Sequence, residues 1–420
     1  MPRWLALNYD QPIEIVSGSG SRVTDADGHT YLDFFCGILT NMLGYDIPEV
    51  REAVQHQLAK GVVHTSTLYL IRSQVELAEK IARLSGIEGA KVFFTNSGTE
   101  ANETALLLAT AARRSNQILA LRNGYHGRSF GAIALTGNAS WRSSQLTPFA
   151  VHFLHGTDRE LPAFARMSDT EYISAAVADL RHVLATAAAG DVACLIAEPI
   201  QGIGGVTMPP DGLLRAYKEV LDAHGILLIS DEVQTGWGRT GEHFWGIGAH
   251  GVVPDMMTFA KGLANGFAIG GVVARGDLMD SVPANSISTF GGNPFATAAA
   301  NASLDYLLSH DLQRNAALLG PLIIGGLREA AEPLAAVGSV RGKGLMFAVD
   351  MVDPATGAPS AKLAARALEA TRERGLLIGK GGLYGQALRM APPMTVTEAE
   401  AKEGLGLLID ALRAVDAGAR

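Results

Sequence analysis

Cysteine is almost absent from this chain of 420 residues. Only Cys36 and Cys194 occur; they form no metal-like cluster, no metal is expected, and both thiols should be free and buried. Long apolar runs are missing too, since no uninterrupted stretch reaches the roughly 18 residues that a membrane-spanning helix requires. Met1 to Asn8 holds four apolar residues before polar ones arrive, too few for the apolar core of a signal peptide. The mature chain is therefore expected to begin near Met1 and to reside in the cytoplasm. Basic charge is not in excess: 34 Lys and Arg stand against 42 Asp and Glu, and the net charge of −8 disfavours a nucleic-acid or anionic-membrane partner. The commoner catalytic templates are absent as well, with no Gly-x-Ser-x-Gly elbow, no His-Glu-x-x-His pair and no phosphate-binding Gly-Lys-Ser/Thr loop.

What the chain does have is enzyme size and 48% hydrophobic residues, enough to bury large cores in two or three domains. Residues 13–35 alternate polar and apolar around the turn signal Asp25-Ala-Asp-Gly28, which predicts a small antiparallel hairpin. From about 91 to 275 short apolar runs recur: Val92–Phe94, Ile118–Leu121, Cys194–Ala197, Ile226–Ile229, Met256–Ala260 and Gly271–Ala274. Helical stretches at Ala101–Arg113, Ile173–Ala188 and Leu213–His224 separate several of them, so the pattern predicts an α/β fold, a mostly parallel sheet with helices on both faces. An Ala/Leu-rich segment from Pro294 to about 335 predicts a long helix and a second one after Gly320. Strand-like runs at Leu345–Asp350 and Leu376–Ile378, with a helix at Ala361–Arg374 between them, predict a smaller α+β domain that packs with the N-terminal hairpin. The expected division is 1–55 for the N-terminal part of the small domain, 56–300 for the large domain and 301–420 for the rest of the small one.

Chemistry concentrates at the ends of the apolar runs. Asp231-Glu232-Val233-Gln234 closes one, and thirty residues later Lys261 closes another, placing acid and amine at neighbouring strand ends, where open α/β sheets bind ligands. The flanks of Lys261, Thr-Phe-Ala before and Gly-Leu-Ala-Asn-Gly after, carry no other charge, and such surroundings ease deprotonation of an amine. The pairing suits pyridoxal phosphate, whose aldehyde needs a lysine and whose pyridine nitrogen needs a carboxylate. Ser97, Gly98 and Thr99 open an alanine-rich helix after Val92–Phe94 and would serve either as an ordinary cap or as a phosphate site. Gly124-Tyr125-His126-Gly127 offers an aromatic face or a packed turn, and Glu198 is a site residue or a loop charge. Gly236-Trp-Gly-Arg-Thr-Gly241 formally fits a dinucleotide fingerprint, but residues 231–235 separate it from its strand and no helix pattern follows.

This ordered set resembles the class III pyridoxal-phosphate aminotransferases from roughly Ile13 to Glu400, most specifically in Asp231-Glu-Val-Gln-Thr-Gly-Trp-Gly-Arg-Thr-Gly241, Pro254-Asp255 and Lys261. The resemblance implies the fold type I of aspartate aminotransferase. It implies pyridoxal 5'-phosphate held covalently by Lys261, with Asp231 on the ring nitrogen, Val233 and Tyr125 on the two ring faces, His126 beside Tyr125, and Gln234 near the ring hydroxyl. Ser97, Gly98 and Thr99 would hold the phosphate, and Thr289 would reach the phosphate of a neighbouring subunit, which implies a homodimer with composite sites. Arg389 resembles the arginine that grips a substrate carboxylate, although the residues alone read as an edge-strand charge; Tyr69 falls where relatives line the substrate pocket.

Two departures bear on substrate. Relatives acting with 2-oxoglutarate usually carry Gln-Gly-Glu-Gly-Gly, whose acid masks the arginine; here Gln201-Gly-Ile203-Gly-Gly205 has none. Together with His243-Phe-Trp-Gly246, Val340–Gly344 and Gly375–Gly379, this is similar to the alanine:glyoxylate and β-alanine:pyruvate branch, which includes amino-alcohol phosphate lyases. Leu43-Gly44-Tyr45-Asp46-Ile47-Pro48 stands where relatives often have Leu-Gly-His and His-Pro. The resemblance thus implies a transaminase passing an amino group from an ω- or β-amino acid or an amine to pyruvate or glyoxylate by a ping-pong route. The alternatives are a phospholyase acting on a phosphorylated amino alcohol, a 2-oxoglutarate-using 4-aminobutyrate or ornithine type, and a protein that keeps the fold without turnover.

Overall fold

Short runs of Val, Ile, Leu, Met and Ala with no polar alternation suit strands covered on both faces, and in this computed structural model they form the centre of one sheet. The structure describes residues 4–419 apart from 6, 145, 159, 160, 162 and 189; the expected chain start at Met1 lies outside the described residues. Three strands come first, β1 (Ile15–Ser19), β2 (Arg22–Asp25) and β3 (Thr30–Asp33). The large sheet follows with β4 (Ala90–Thr95), β5 (Gln117–Leu121), β6 (Ala150–Leu154), β7 (Cys194–Ala197), β8 (Leu227–Asp231), β9 (Met256–Phe259) and β10 (Gly270–Arg275). Its order is β4-β10-β9-β8-β7-β5-β6. Every pair from β9 to β6 is parallel, while β10 runs antiparallel to both neighbours, so β4 again points the same way as the rest. The C-terminal ends of β4, β5, β7, β8 and β9 consequently face one side.

The helices expected between the strands are Gly98–Arg113, Asp169–Thr186 and Leu213–Ala223. Asp169–Thr186 starts earlier than its apolar pattern because Ser168 and Glu171 close a reciprocal capping box. The hairpin expected at 13–35 is a three-stranded antiparallel unit, for β1 joins β2 through the positive-φ Gly20 before β2 turns into β3. The Ala/Leu-rich segment breaks elsewhere than expected. Helices Pro294–Ser309 and Leu312–Ala331 meet at His310-Asp311, where Asp311 is left-handed, and Gly320 lies inside the second helix. Gly320 is there for packing, since any Cβ would collide with the Gly344 backbone.

A third sheet, β11 (Val337–Lys343), β12 (Met346–Met351), β14 (Gly379–Gly381) and β15 (Ala387–Met390), has the order β11-β12-β15-β14. The short β13 (Leu376–Leu377) pairs in parallel with β3 and joins the C-terminal part of the chain to the first sheet. Arg389 lies on β15, an interior strand, and is buried, which corrects the edge-strand reading of that charge. Cys36 and Cys194 are free and buried. Among the described residues no helix is long and apolar enough to cross a membrane.

Candidate active site

Five parallel strand ends deliver residues to a common cavity of about 350 Å³. β4 leads to Ser97, Gly98 and Thr99, β5 to Tyr125 and His126, β7 to Glu198, β8 to Asp231, Val233 and Gln234, and β9 to Lys261; all ten line it. The sheet ladder holds Asp231 opposite Thr258, three residues before Lys261, so acid and amine meet across neighbouring strands.

Asp231 is buried and heavily engaged. Its Oδ2 accepts from His126 Nδ1 and from Asn102 Nδ2, both at 2.8 Å, and its Oδ1 accepts from the Val233 amide at 3.2 Å. Glu232 next to it points away: its carboxylate is wrapped by Thr235, Ser230 and the amides of Gly246 and Ile247. The dipeptide therefore splits into a site acid and a structural acid. Asn102 is one of the cavity residues that the sequence did not announce. It occupies the inner face of the alanine-rich helix with the buried Ala105, Leu106 and Ala109, and an amide within that apolar stripe was its only signal.

Lys261 follows β9 in a left-handed conformation, φ 45°, that only a constrained non-glycine residue holds. The constraint is visible. Asn265, also left-handed, accepts from the Leu43 amide at 2.9 Å and donates to the Gly44 carbonyl at 3.0 Å, tying the lysine turn to residues 43–44. Just before them Cys36, Gly37, Ile38 and Leu39 all have positive φ, a left-handed turn costing roughly 1–2 kcal/mol for each non-glycine residue, and it delivers Thr40 to the cavity wall. Nothing in the local sequence pattern announced that contribution.

Burial and the nearby Arg389 guanidinium pull the Lys261 amine down to about 8, against the opposing carboxylates of Asp231 and Glu198. Glu198 accepts from the amides of Tyr125 at 2.8 Å and Gly202 at 2.9 Å. Burial nevertheless pushes its carboxyl up to about 7, opposed by His126 and assisted by Asp231. Arg389 stands behind Gln234, whose Oε1 accepts from its Nη2 at 2.9 Å, and burial draws the guanidinium down to about 10.

Ser97 caps its helix by accepting from the Glu100 amide, so the cap reading holds, yet the same residue faces the cavity. The first amides of that helix, Gly98 and Thr99, have no intrahelical carbonyl to serve and favour an anion. Thr289 and Tyr69 are not among the lining residues; both are exposed, Tyr69 to 70%. The Gly236–Gly241 segment forms turns that do not run into an α-helix, only a 3₁₀ turn at Gly246–His250 following, unlike a dinucleotide fingerprint.

Residues 5–412 match the family Aminotransferase class-III, and the chain belongs to it. It is 37% identical over 395 residues to alanine–glyoxylate aminotransferase 2 homolog 2, mitochondrial, of Arabidopsis thaliana, covering 94% of this chain and 81% of that one. It is 40% identical over 409 residues to acetylornithine aminotransferase of Mycolicibacterium smegmatis, covering 95% and 94%. Among solved structures, an amine transaminase from an uncultivated Pseudomonas species in its PLP-bound form superposes with a TM-score of 0.90 at 32% identity, covering 98% of this chain and 96% of that one. A phospholyase from Arthrobacter in complex with phosphoethanolamine gives a TM-score of 0.89 at 34% identity, covering 98% and 97%.

The fold is thus that of the fold type I aminotransferases, and pyridoxal 5'-phosphate is the cofactor of the class. The cavity fits that group. It brings together an amine, a fixed carboxylate and a helix N-terminus, and it contains two buried polar atoms without partners, Asn102 Oδ1 and His126 Nε2.

Proposed function

We propose that this chain transfers an amino group from an ω- or β-amino acid or an amine to pyruvate or glyoxylate, in two half-reactions at one site. The observation that carries the acceptor is the surroundings of Arg389: with Ile203 in its loop, the buried guanidinium has no directly bonded acid among the described residues, feels only the Glu198 carboxylate from a distance, and makes its hydrogen bond there to the neutral amide of Gln234. A buried cation without a directly paired anion favours a substrate carboxylate. Lys261 is the one Lys or Arg among the described residues lining the cavity, so a second carboxylate, as in 2-oxoglutarate, lacks its own cation.

Bound here, the cofactor supplies an electron-accepting ring. Lys261 would anchor it and then, as a neutral amine, take the proton from the substrate Cα. Asp231, held by His126, Asn102 and the Val233 amide, would keep the ring nitrogen protonated, while Gly98, Thr99 and the Ser97 hydroxyl bind the phosphate. Val233 and Tyr125 would enclose the ring; Gly98 supports this, because a Cβ there would press on the Val233 methyls at 3.1 Å.

The homodimer with composite sites, and residence in the cytoplasm, belong to the same reading. Exposed Leu68, Tyr69, Leu70 and Phe290 give the chain an apolar surface suited to a second copy, near exposed Thr289. The similarity to a phospholyase supports a second reading, elimination of phosphate from a phosphorylated amino alcohol, and the similarity to an acetylornithine aminotransferase supports a third, in which 2-oxoglutarate is the acceptor. The test is a panel of amino donors with pyruvate, glyoxylate and 2-oxoglutarate. Pyruvate or glyoxylate should give the highest kcat/KM; preference for 2-oxoglutarate overturns the acceptor assignment. Ammonia and phosphate released from phosphoethanolamine without any oxo acid hand the function to the lyase.

A further inference from the structure

The turn that carries Lys261 reads Lys-Gly-Leu-Ala-Asn-Gly over 261–266, and three of its positions meet one short stretch of chain. Gly262 faces Met42, and a Cβ at residue 262 would lie 2.7 Å from the Met42 Cβ. Gly266 faces Asn41, whose Oδ1 would lie 2.8 Å from a Cβ there. Between them the Asn265 side chain accepts from the Leu43 amide at 2.9 Å and donates to the Gly44 carbonyl at 3.0 Å. The same stretch is bonded on a second side. The Met42 carbonyl accepts from the Met394 amide and the Leu43 carbonyl from the Thr395 hydroxyl, both at 2.7 Å, a few residues beyond β15. Glycine would hold the left-handed conformation of residue 265 without strain, so the local backbone does not call for asparagine; the two long-range hydrogen bonds do.

We propose that residues 41–44 brace the lysine turn and that Asn265 is the positioning residue through which they keep the Lys261 amine inside the cavity. This rests on the reading of Lys261 as the cofactor lysine. A left-handed lysine costs roughly 1–2 kcal/mol and stays in place only while its surroundings hold it. With the brace cut, the turn can relax, the amine meets water, and its charged form is no longer disfavoured by burial. The charges that face the amine are Asp231 at the end of β8, Glu198 just after β7 and Arg389 on β15. Asn265 and Thr395 are neutral, so a change in the amine on replacing either comes through its position.

The first readout needs no cofactor. Apo-protein is labelled with trace acetic anhydride across a pH series, and the peptide containing Lys261 reports where its amine becomes neutral. In the parent the midpoint should lie at about 8. Asn265→Gly keeps the left-handed backbone and removes both side-chain bonds; Thr395→Val leaves the lysine turn untouched and removes the bond to Leu43. Both should move the midpoint toward about 10.4, and a rise of about one pH unit would leave roughly fivefold less neutral amine at pH 8. In the holoenzyme the same variants should lose kcat with little change in KM for the amino donor. A folded Asn265→Gly or Thr395→Val protein whose Lys261 labels as in the parent overturns the brace. Borohydride reduction of the parent holoenzyme separates the two readings. A pyridoxyl group on Lys261 together with parent-like labelling in the variants removes only the brace, whereas a pyridoxyl group elsewhere removes the cofactor reading and the brace's role with it.

Discussion

Replacing Asp231 by asparagine keeps the shape of the side chain and removes its charge. Asp231 is buried, and its carboxylate serves three donors: His126 Nδ1, Asn102 Nδ2 and the Val233 amide. Asparagine offers a single acceptor oxygen, so His126 and Asn102 compete for it. The larger effect falls on the cofactor ring. Removing one member of a buried ion pair costs roughly 3–5 kcal/mol, and at about 1.4 kcal/mol per decade that is a loss of roughly two to four decades in kcat. Binding through the helix N-terminus at Gly98 and Thr99 does not involve this charge, so cofactor should remain after dialysis. The assay is stopped-flow measurement of the first half-reaction, alongside cofactor content by absorbance. Turnover within tenfold of the parent would refute the assignment of Asp231 to the ring nitrogen.

The Lys261 amine should capture cofactor into apo-protein at a rate that rises with pH to about 8 and then levels. Burial lowers its affinity for protons, so the neutral, nucleophilic form appears above about 8; a rate still climbing toward about 10.4 would show an ordinary lysine. Ile203→Glu should weaken pyruvate or glyoxylate binding by roughly 1–3 kcal/mol by giving Arg389 an acid, measured as KM, and an unchanged value would place residue 203 beyond reach of the guanidinium. Mixing inactive Lys261→Ala protein with an inactive Thr289→Ala protein should regain part of the activity after subunit exchange, because one site in each hybrid is intact. No recovery despite proven exchange would remove Thr289 from the partner's site.

The frame of the site was legible wherever a strand end coincided with an unusual polar residue. Uniformly apolar runs set β5, β7, β8 and β9, and Glu198, Asp231 and Lys261 stand at or just beyond three of their ends. Contributions that arise from tertiary packing were not legible. Asn102 has ordinary helical spacing, and its role comes from Asp231 lying 2.8 Å away. Thr40 depends on a left-handed turn that propensity disfavours at Ile38 and Leu39. Arg389 read as an edge charge because β14, the strand outside it, is only Gly379–Gly381 and gives almost no pattern of its own. The misplaced helix break had a similar source: Gly320 is a punctuation mark in sequence, but here it is a contact surface for Gly344.

The central claim is that Lys261 carries the cofactor. Borohydride reduction of the holoenzyme followed by peptide mapping tests it directly, because the reduced bond survives digestion. The pyridoxyl group should appear on the peptide containing Lys261. Its appearance on Lys218, which is bonded to Asp222, or on Lys343, which pairs with Asp211 and Glu242, would contradict the account.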